Sequence, residues 1–308
     1  MGAPRSGTTS LSQYLNQHPQ VRMSSRKEPA YFHFVDTTSQ PDFPLLARTH
    51  GHDLLAESEE NYYRAQGMAI TDPNKYSELW SHESTPIFKG EATPTYLFDP
   101  VAMTSIRESI TSCKGLVILR NPIERAYSEY LQHLGKGFEK AGTFAEALSL
   151  EPVDVDDFWW GSRSYVRSGL YVDHVLRAFD LFGKENILVL LTDDLANDPH
   201  GTLREIATFL DIDSEFEFDT STKHNPAHVP IPDLAVRVAR SQGPLRTMAR
   251  RVLPDAIRSK LWRRVMWRGE AQIPEFDSET RSSLTSLFIP SVSRLAKVID
   301  RDLSPWIM

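Results

Sequence analysis

Residues 2–10 read Gly-Ala-Pro-Arg-Ser-Gly-Thr-Thr-Ser and run directly into a segment with apolar residues at helical spacing, Leu11, Tyr14 and Leu15. No other feature constrains the fold of this chain as strongly. A glycine-bearing turn that opens a helix gathers backbone N–H groups and the positive helix end at one point, which suits a phosphate or sulfate. Gly2 and Gly7 let the main chain approach such a ligand, and Thr8, Thr9 and Ser10 add hydroxyl donors. The plain alternative is an ordinary helix start capped by Ser and Thr. A turn of this kind normally follows a buried strand, so an apolar strand is expected directly before Gly2. Its absence reads as a shortened start; the alternative is that Met1 and Ala3 extend a short edge.

The rest of the chain supplies strands and helices in alternation. Gly115 to Arg120 (GLVILR) is a short apolar run ending in a charge, the pattern of a buried parallel strand. NPIERAYSEYLQHL then reads as a helix with Pro122 in its first turn. VDHVLRAFDLFG is an amphipathic helix closed by Gly183, ENILVLLTDDL a second buried strand, and DPHGTLREIATFLDI a further helix. His18-Pro19 is expected to end the first helix. This alternation predicts an α/β fold with a P-loop-type central parallel sheet flanked by helices. The length of 308 residues accommodates one domain over 1–308, with residues 36–82 as an inserted lid and 237–308 as a helical C-terminal extension.

Composition removes several function classes. With 40% hydrophobic and 24% charged residues the chain is not disordered throughout, and a net charge of −7 argues against a nucleic-acid partner. One cysteine, Cys113, rules out a disulfide framework within the chain and a cysteine-rich metal site, and no metal is expected. No segment has the apolar length of a membrane span and no signal peptide is read at the start, so a cytoplasmic protein is the default expectation. Residues 237–268 depart from the average, with ten Lys and Arg against the single acid Asp255. Three readings stay open there: a solvated helical face, a dock for an anionic acceptor or carrier protein, or a peripheral contact with an anionic membrane surface.

The spacing of Gly2 and Gly7 is shared with nucleoside triphosphatases, which need Lys and then Ser or Thr after the second glycine. Thr8 stands where that lysine would be, so ATP–Mg²⁺ chemistry is disfavoured, and the nearby cation is Arg5. Arg120 falls at the C-terminal end of a strand, where α/β sheets bind ligands, and Ser128 lies one to two helical turns further on. A guanidinium and a hydroxyl converging there would hold a phosphate.

At these two motifs the sequence resembles the family of sulfotransferases that use 3′-phosphoadenosine 5′-phosphosulfate (PAPS), in the branch of heparan-type glycan enzymes and their bacterial relatives. GAPRSGTTSL is similar to the 5′-phosphosulfate loop of that family and LVILRNPIERAYSEY to its 3′-phosphate motif. KEPAYFHF, GEATPTYL and YVRSGLYVDHVLRAF follow in the family order, and the likeness runs to about residue 230. The resemblance implies an enzyme that transfers a sulfuryl group from PAPS to a hydroxyl acceptor: a glycan, a lipid, a carrier-bound acyl chain or a small metabolite. It implies that Arg5, Ser6, Gly7, Thr8, Thr9 and Ser10 bind the phosphosulfate and that Arg120 and Ser128 bind the 3′-phosphate. It also implies that Lys223 and Asn225 close over the nucleotide, that Arg5 stabilises the leaving oxygen and that Glu28 is the general base. No divalent metal is needed, because protein groups hold the leaving nucleotide phosphate.

Two departures weigh against a heparan-like acceptor: Ala92 follows Glu91 where lysine is usual, and the paired-cysteine loop is missing. From the residues alone, Glu28 reads as a solvent-facing charge paired with Lys27. His33 and Glu91 are rival bases, Glu91 alternatively orienting Lys27 or the loop. Tyr165, Gly169 and Tyr171 either line the acceptor cleft or belong to the core. Phe158, Trp159 and Trp160 form either a hydrophobic lip or plain packing. Two other classes remain: a nucleotide or small-molecule kinase, against which the missing lysine speaks, and a non-catalytic PAPS- or nucleotide-binding protein, which would not need a base at Glu28.

Overall fold

The computed structural model describes residues 1–33, 70, 72–80, 87–136, 139, 141–151, 164–221 and 276–308. Most of the 36–82 segment, the Phe158-Trp159-Trp160 cluster, Lys223, Asn225 and the basic stretch 237–268 lie outside these described residues. In chain order the elements are α1 (Thr8–Leu15), β1 (Val21–Met23), α2 (Pro73–Ser77), β2 (Phe88–Gly90), α3 (Pro100–Ser109), β3 (Gly115–Leu119), α4 (Pro122–Lys136), α5 (Phe144–Ser149), α6 (Val172–Phe182), β4 (Ile187–Leu191), α7 (Thr192–Asn197), α8 (Pro199–Leu210) and α9 (Ser278–Ile299).

The apolar runs form strands as their composition predicts. Val117, Ile118 and Leu119 of β3 are fully buried, and β3 pairs in parallel with β4 from Gly115↔Ile187 to Leu119↔Leu191. β4 stops at Leu191, short of the predicted run, because Thr192-Asp193-Asp194 begins α7 instead. Acidic residues favour a helix N-terminus over a buried strand. β1 and β2 form a second parallel pair, Val21↔Phe88 to Met23↔Gly90.

Met1–Ala3 runs between the two pairs and takes the place of the strand expected ahead of the turn. Gly2 makes a parallel bridge to Ile118. Ala3 N donates to Ile118 O at 3.1 Å, and Gly2 N donates to Pro94 O, beyond β2, at 3.2 Å. The described strands form two parallel pairs, and a cleft of about 790 Å³ lies between them, lined by Leu15, Val21, Phe88, Glu91, Leu116 and Ile187 among others.

Helix ends follow their capping residues. Asn121 Oδ1 accepts from Ile123 N at 2.9 Å and Glu124 N at 3.3 Å, so α4 starts with Pro122 in its first turn. Asp198 caps α8, and Gly183, at φ 86°, closes α6. α1 buries Leu11, Tyr14 and Leu15 but ends at Asn16, ahead of His18-Pro19. His18 is held in the following turn by Asp213 O at 3.0 Å. The C-terminal helix α9 is part of the main core: Leu284, Phe288, Val292 and Leu295 are buried in one cluster with Leu119, Ile123 and Val175. Among the described residues no helix is long and apolar enough to cross a membrane.

Candidate functional site

The glycine turn sits at the C-terminal end of β3, beside the end of β4. A Cβ on Gly2 would lie 2.6 Å from Ile118 O, so only glycine lets the chain leave the sheet this closely. Gly7 is the N-cap of α1 at φ 92°, and the helix has no side-chain cap. The first-turn amides of Thr8 and Thr9 therefore lack an intrahelical or capping side-chain partner, as a ligand-binding helix start requires. Thr8, Thr9 and Ser10 are half-buried at this turn. Ser6 faces inward and is fully buried. Thr192 Oγ1 lies 2.7 Å from Ser6 O and 3.0 Å from Leu119 O, clamping the loop to the end of β3. Sequence reasoning missed Thr192, whose role depends on the adjacency of β3 and β4.

Arg5, Arg120 and Ser128 come together from three parts of the chain. Arg5, at φ 69°, donates from Nε to Ser128 Oγ at 3.1 Å. Arg120 donates from Nη1 to Arg5 O at 3.3 Å. Burial lowers the pKa of Arg5, and the neighbouring Arg120 lowers it further while Glu129 opposes. Burial also lowers that of Arg120, against the pull of Glu124, Tyr171 and Asp193. Two partly desolvated cations held side by side at a helix N-terminus are an unfavourable arrangement that an anion relieves. The donor set fits an anionic ligand.

Tyr165, Gly169 and Tyr171 belong to the core and not to an open cleft. Tyr171 is 1% exposed and donates its hydroxyl to Arg120 O at 2.9 Å. Tyr165 is fully buried and donates to Glu139 Oε2 at 2.9 Å. A Cβ on Gly169 would meet the Phe288 ring at 2.8 Å. The rings are drawn inside because each hydroxyl has a partner there. Arg125, which the sequence reading passed over, is fully buried, paired with Glu129 at 2.7 Å, and donates to the carbonyls of Ser164 and Tyr165. It ties α4 to the segment before α6. Its i,i+4 spacing to Glu129 was the available signal.

Glu28 follows β1 with φ 55° and Ala30 has φ 58°. Two non-glycine residues in the left-handed region mark a strained turn, of the kind that accumulates at functional sites. The Glu28 carboxylate is paired with Lys27 Nζ, and its side chain is 27% exposed. His33 has partners at both ring nitrogens. Its Nδ1 is engaged by Asp99, its Nε2 lies 3.0 Å from Thr95 Oγ1, and its side chain is buried. Glu91 does not pair with Lys27 but lines the cleft between the strand pairs. Burial pushes its pKa up to about 7, although the Tyr96, Thr93 and Tyr76 hydroxyls stabilise the charged form.

The family profile described as "Sulfotransferase domain" matches residues 1–226. The chain belongs to the sulfotransferase family. Carbohydrate sulfotransferase 15 of Rattus norvegicus is 27% identical to this sulfotransferase over 290 residues, covering 83% of this chain and 50% of the relative. Heparan sulfate glucosamine 3-O-sulfotransferase 6 of Homo sapiens is 27% identical over 228 residues, covering 72% of this chain and 55% of the relative. The chain thus spans about half the length of these curated relatives. Among solved structures, a sulfotransferase from Alicyclobacillus acidocaldarius superposes with a TM-score of 0.68 at 26% identity, covering 100% of this chain and 97% of that one. The parallel α/β architecture with flanking helices that the alternation of strands and helices predicted is accordingly that of a sulfotransferase fold.

Proposed function

We propose that this sulfotransferase transfers a sulfuryl group from PAPS to a hydroxyl acceptor. The observation that carries this reading is the meeting of Arg5, Arg120 and Ser128 at the uncapped start of α1. Arg5 and the first-turn amides would hold the phosphosulfate and neutralise charge on the bridging oxygen as the S–O bond to the nucleotide breaks. Arg120, with Ser128, would hold the 3′-phosphate. Glu28 would take the proton of the acceptor hydroxyl while its oxygen bonds to sulfur. Thr8 in place of the Walker lysine speaks against a nucleoside triphosphate. The acceptor is of the glycan, lipid, carrier-bound acyl or small-metabolite class. Ala92 after Glu91 weighs against a heparan-like chain.

Thermal shift and transfer assays test the reading together. Adenosine 3′,5′-bisphosphate at a hundredfold excess over its dissociation constant should stabilise the protein by about 2.7 kcal/mol, and ATP–Mg²⁺ by much less. Labelled PAPS should pass its sulfuryl group to at least one member of a panel of glycans, lipid extracts and carrier-bound acyl chains. Equal stabilisation by ATP–Mg²⁺ would sink the proposal.

A further inference from the structure

Arg120 stands beside two acids, Glu124 and Asp193, that raise its pKa through charge. Asp193 is the second residue of α7, and its Oδ2 accepts a hydrogen bond from Trp306 Nε1 at 3.1 Å. Among the described residues Asp193 and Arg120 interact through charge without a hydrogen bond between them. Trp306 lies in the turn Ser304–Trp306 that follows α9 and is 4% exposed. Its carbonyl accepts from Asn121 Nδ2 at 3.2 Å, and its ring meets Tyr171 edge-on at 6.4 Å. Tyr171 in turn donates to Arg120 O. Arg301 holds the next residue of α7, Asp194, at 2.7 Å. This segment is therefore clipped onto the start of α7 at Asp193 and Asp194, and onto Asn121 next to Arg120.

We infer that Trp306 is a positioning residue for Arg120. Its indole N–H occupies the Asp193 carboxylate and holds it as a neighbour of the guanidinium instead of a partner. A carboxylate released from the indole would turn toward Arg120 and form a charge-assisted pair, which is among the stronger side-chain contacts. That pair would compete directly with a bound phosphate. With Trp306 in place, Asp193 steadies the cation electrostatically and leaves its N–H groups to the ligand. The inference rests on the proposed role of Arg120 as the 3′-phosphate contact.

The experiment compares adenosine 3′,5′-bisphosphate with adenosine 5′-phosphate by calorimetry, using the full chain. Wild type should prefer the bisphosphate, and Trp306→Phe, which keeps a ring but loses the N–H, should cut that preference about tenfold, roughly 1.4 kcal/mol. Adding Asp193→Asn to Trp306→Phe should restore it, because an amide does not pair with the guanidinium as an ion; a purely structural tryptophan would not be rescued this way. An unchanged preference in Trp306→Phe, or a loss that Asp193→Asn leaves unrepaired, overturns the inference. If Trp306→Phe does not fold, Asp193→Asn alone decides. A retained or higher preference supports the competition, and a lower one overturns it. A wild-type protein with no preference for the bisphosphate overturns the functional reading, an outcome visible before any variant is made.

Discussion

Arg5 and Arg120 show how single residues define this site. Each is half-buried, burial disfavours the charge of both, Arg120 adds to that at Arg5, and an anion would relieve the arrangement. Arg120→Ala should weaken adenosine 3′,5′-bisphosphate binding by on the order of 1.5 to 3 kcal/mol and leave adenosine 5′-phosphate nearly unchanged, as read by calorimetry. Glu28→Gln keeps the shape and loses the proton acceptor, so turnover should fall roughly a hundredfold to ten-thousandfold with cofactor affinity preserved. His33→Gln, whose ring nitrogens are already engaged, should retain turnover; the reverse pattern would move the base away from Glu28. Glu91 gives a pH signature of its own. Its ordinary value is 4.5 and burial raises it to about 7, so the folded state keeps a proton that the unfolded chain releases between these values. Stability from this group is present below pH 4.5 and is lost as pH rises through 7. Glu91→Gln should therefore recover up to about 3 kcal/mol at pH 8 and almost nothing at pH 4. Melting temperatures of the two proteins across that range provide the measurement.

At the scale of elements, the loop works because β3 and β4 end side by side. Thr192, the first residue of α7, reaches both Ser6 O and Leu119 O. Thr192→Val keeps the shape and withdraws the hydroxyl that these two carbonyls share, which should cost about 1 to 3 kcal/mol in urea denaturation. Bisphosphate affinity should fall with it, since the loop backbone is the proposed ligand cradle. Element ends were legible where a residue caps locally. Pro122 with Asn121 starts α4, and Gly183 stops α6, because capping needs only neighbours in sequence. They were not legible where a long-range contact wins. Thr192 reaches Ser6 O across the sheet and His18 lies against Asp213 O, contacts that the local sequence does not name.

At the scale of the molecule, α9 closes the core from a distance of more than a hundred residues in sequence. Phe288 is fully buried and packs on Gly169 so tightly that no Cβ fits between them. Phe288→Ala should cost about 3 to 5 kcal/mol, measured by equilibrium unfolding, because a fully buried ring packed on Gly169 leaves a cavity when it is removed. The C-terminal segment that read as an extension is thus a wall of the main core, and the turn after α9 reaches the C-terminal end of β3 through Trp306 and Asn121.

The sequence by itself determined the parallel α/β alternation, the anion-suited turn and the arginine at the end of β3, because each is written in a contiguous stretch and follows from local geometry or hydrophobic run length. Tertiary structure alone decided which candidates share a site and which do not. Arg5 meets Ser128 across 123 positions of sequence, Tyr165 and Tyr171 turn inward to carbonyl and carboxylate partners, and His33 is consumed by Asp99 and Thr95. It also decided that residues 1–3 run between two parallel pairs of strands. Hydrogen-bond partners and burial for these groups come from elements distant in the chain, and a residue's chemistry names the partner it needs without saying which distant segment the fold will bring to it.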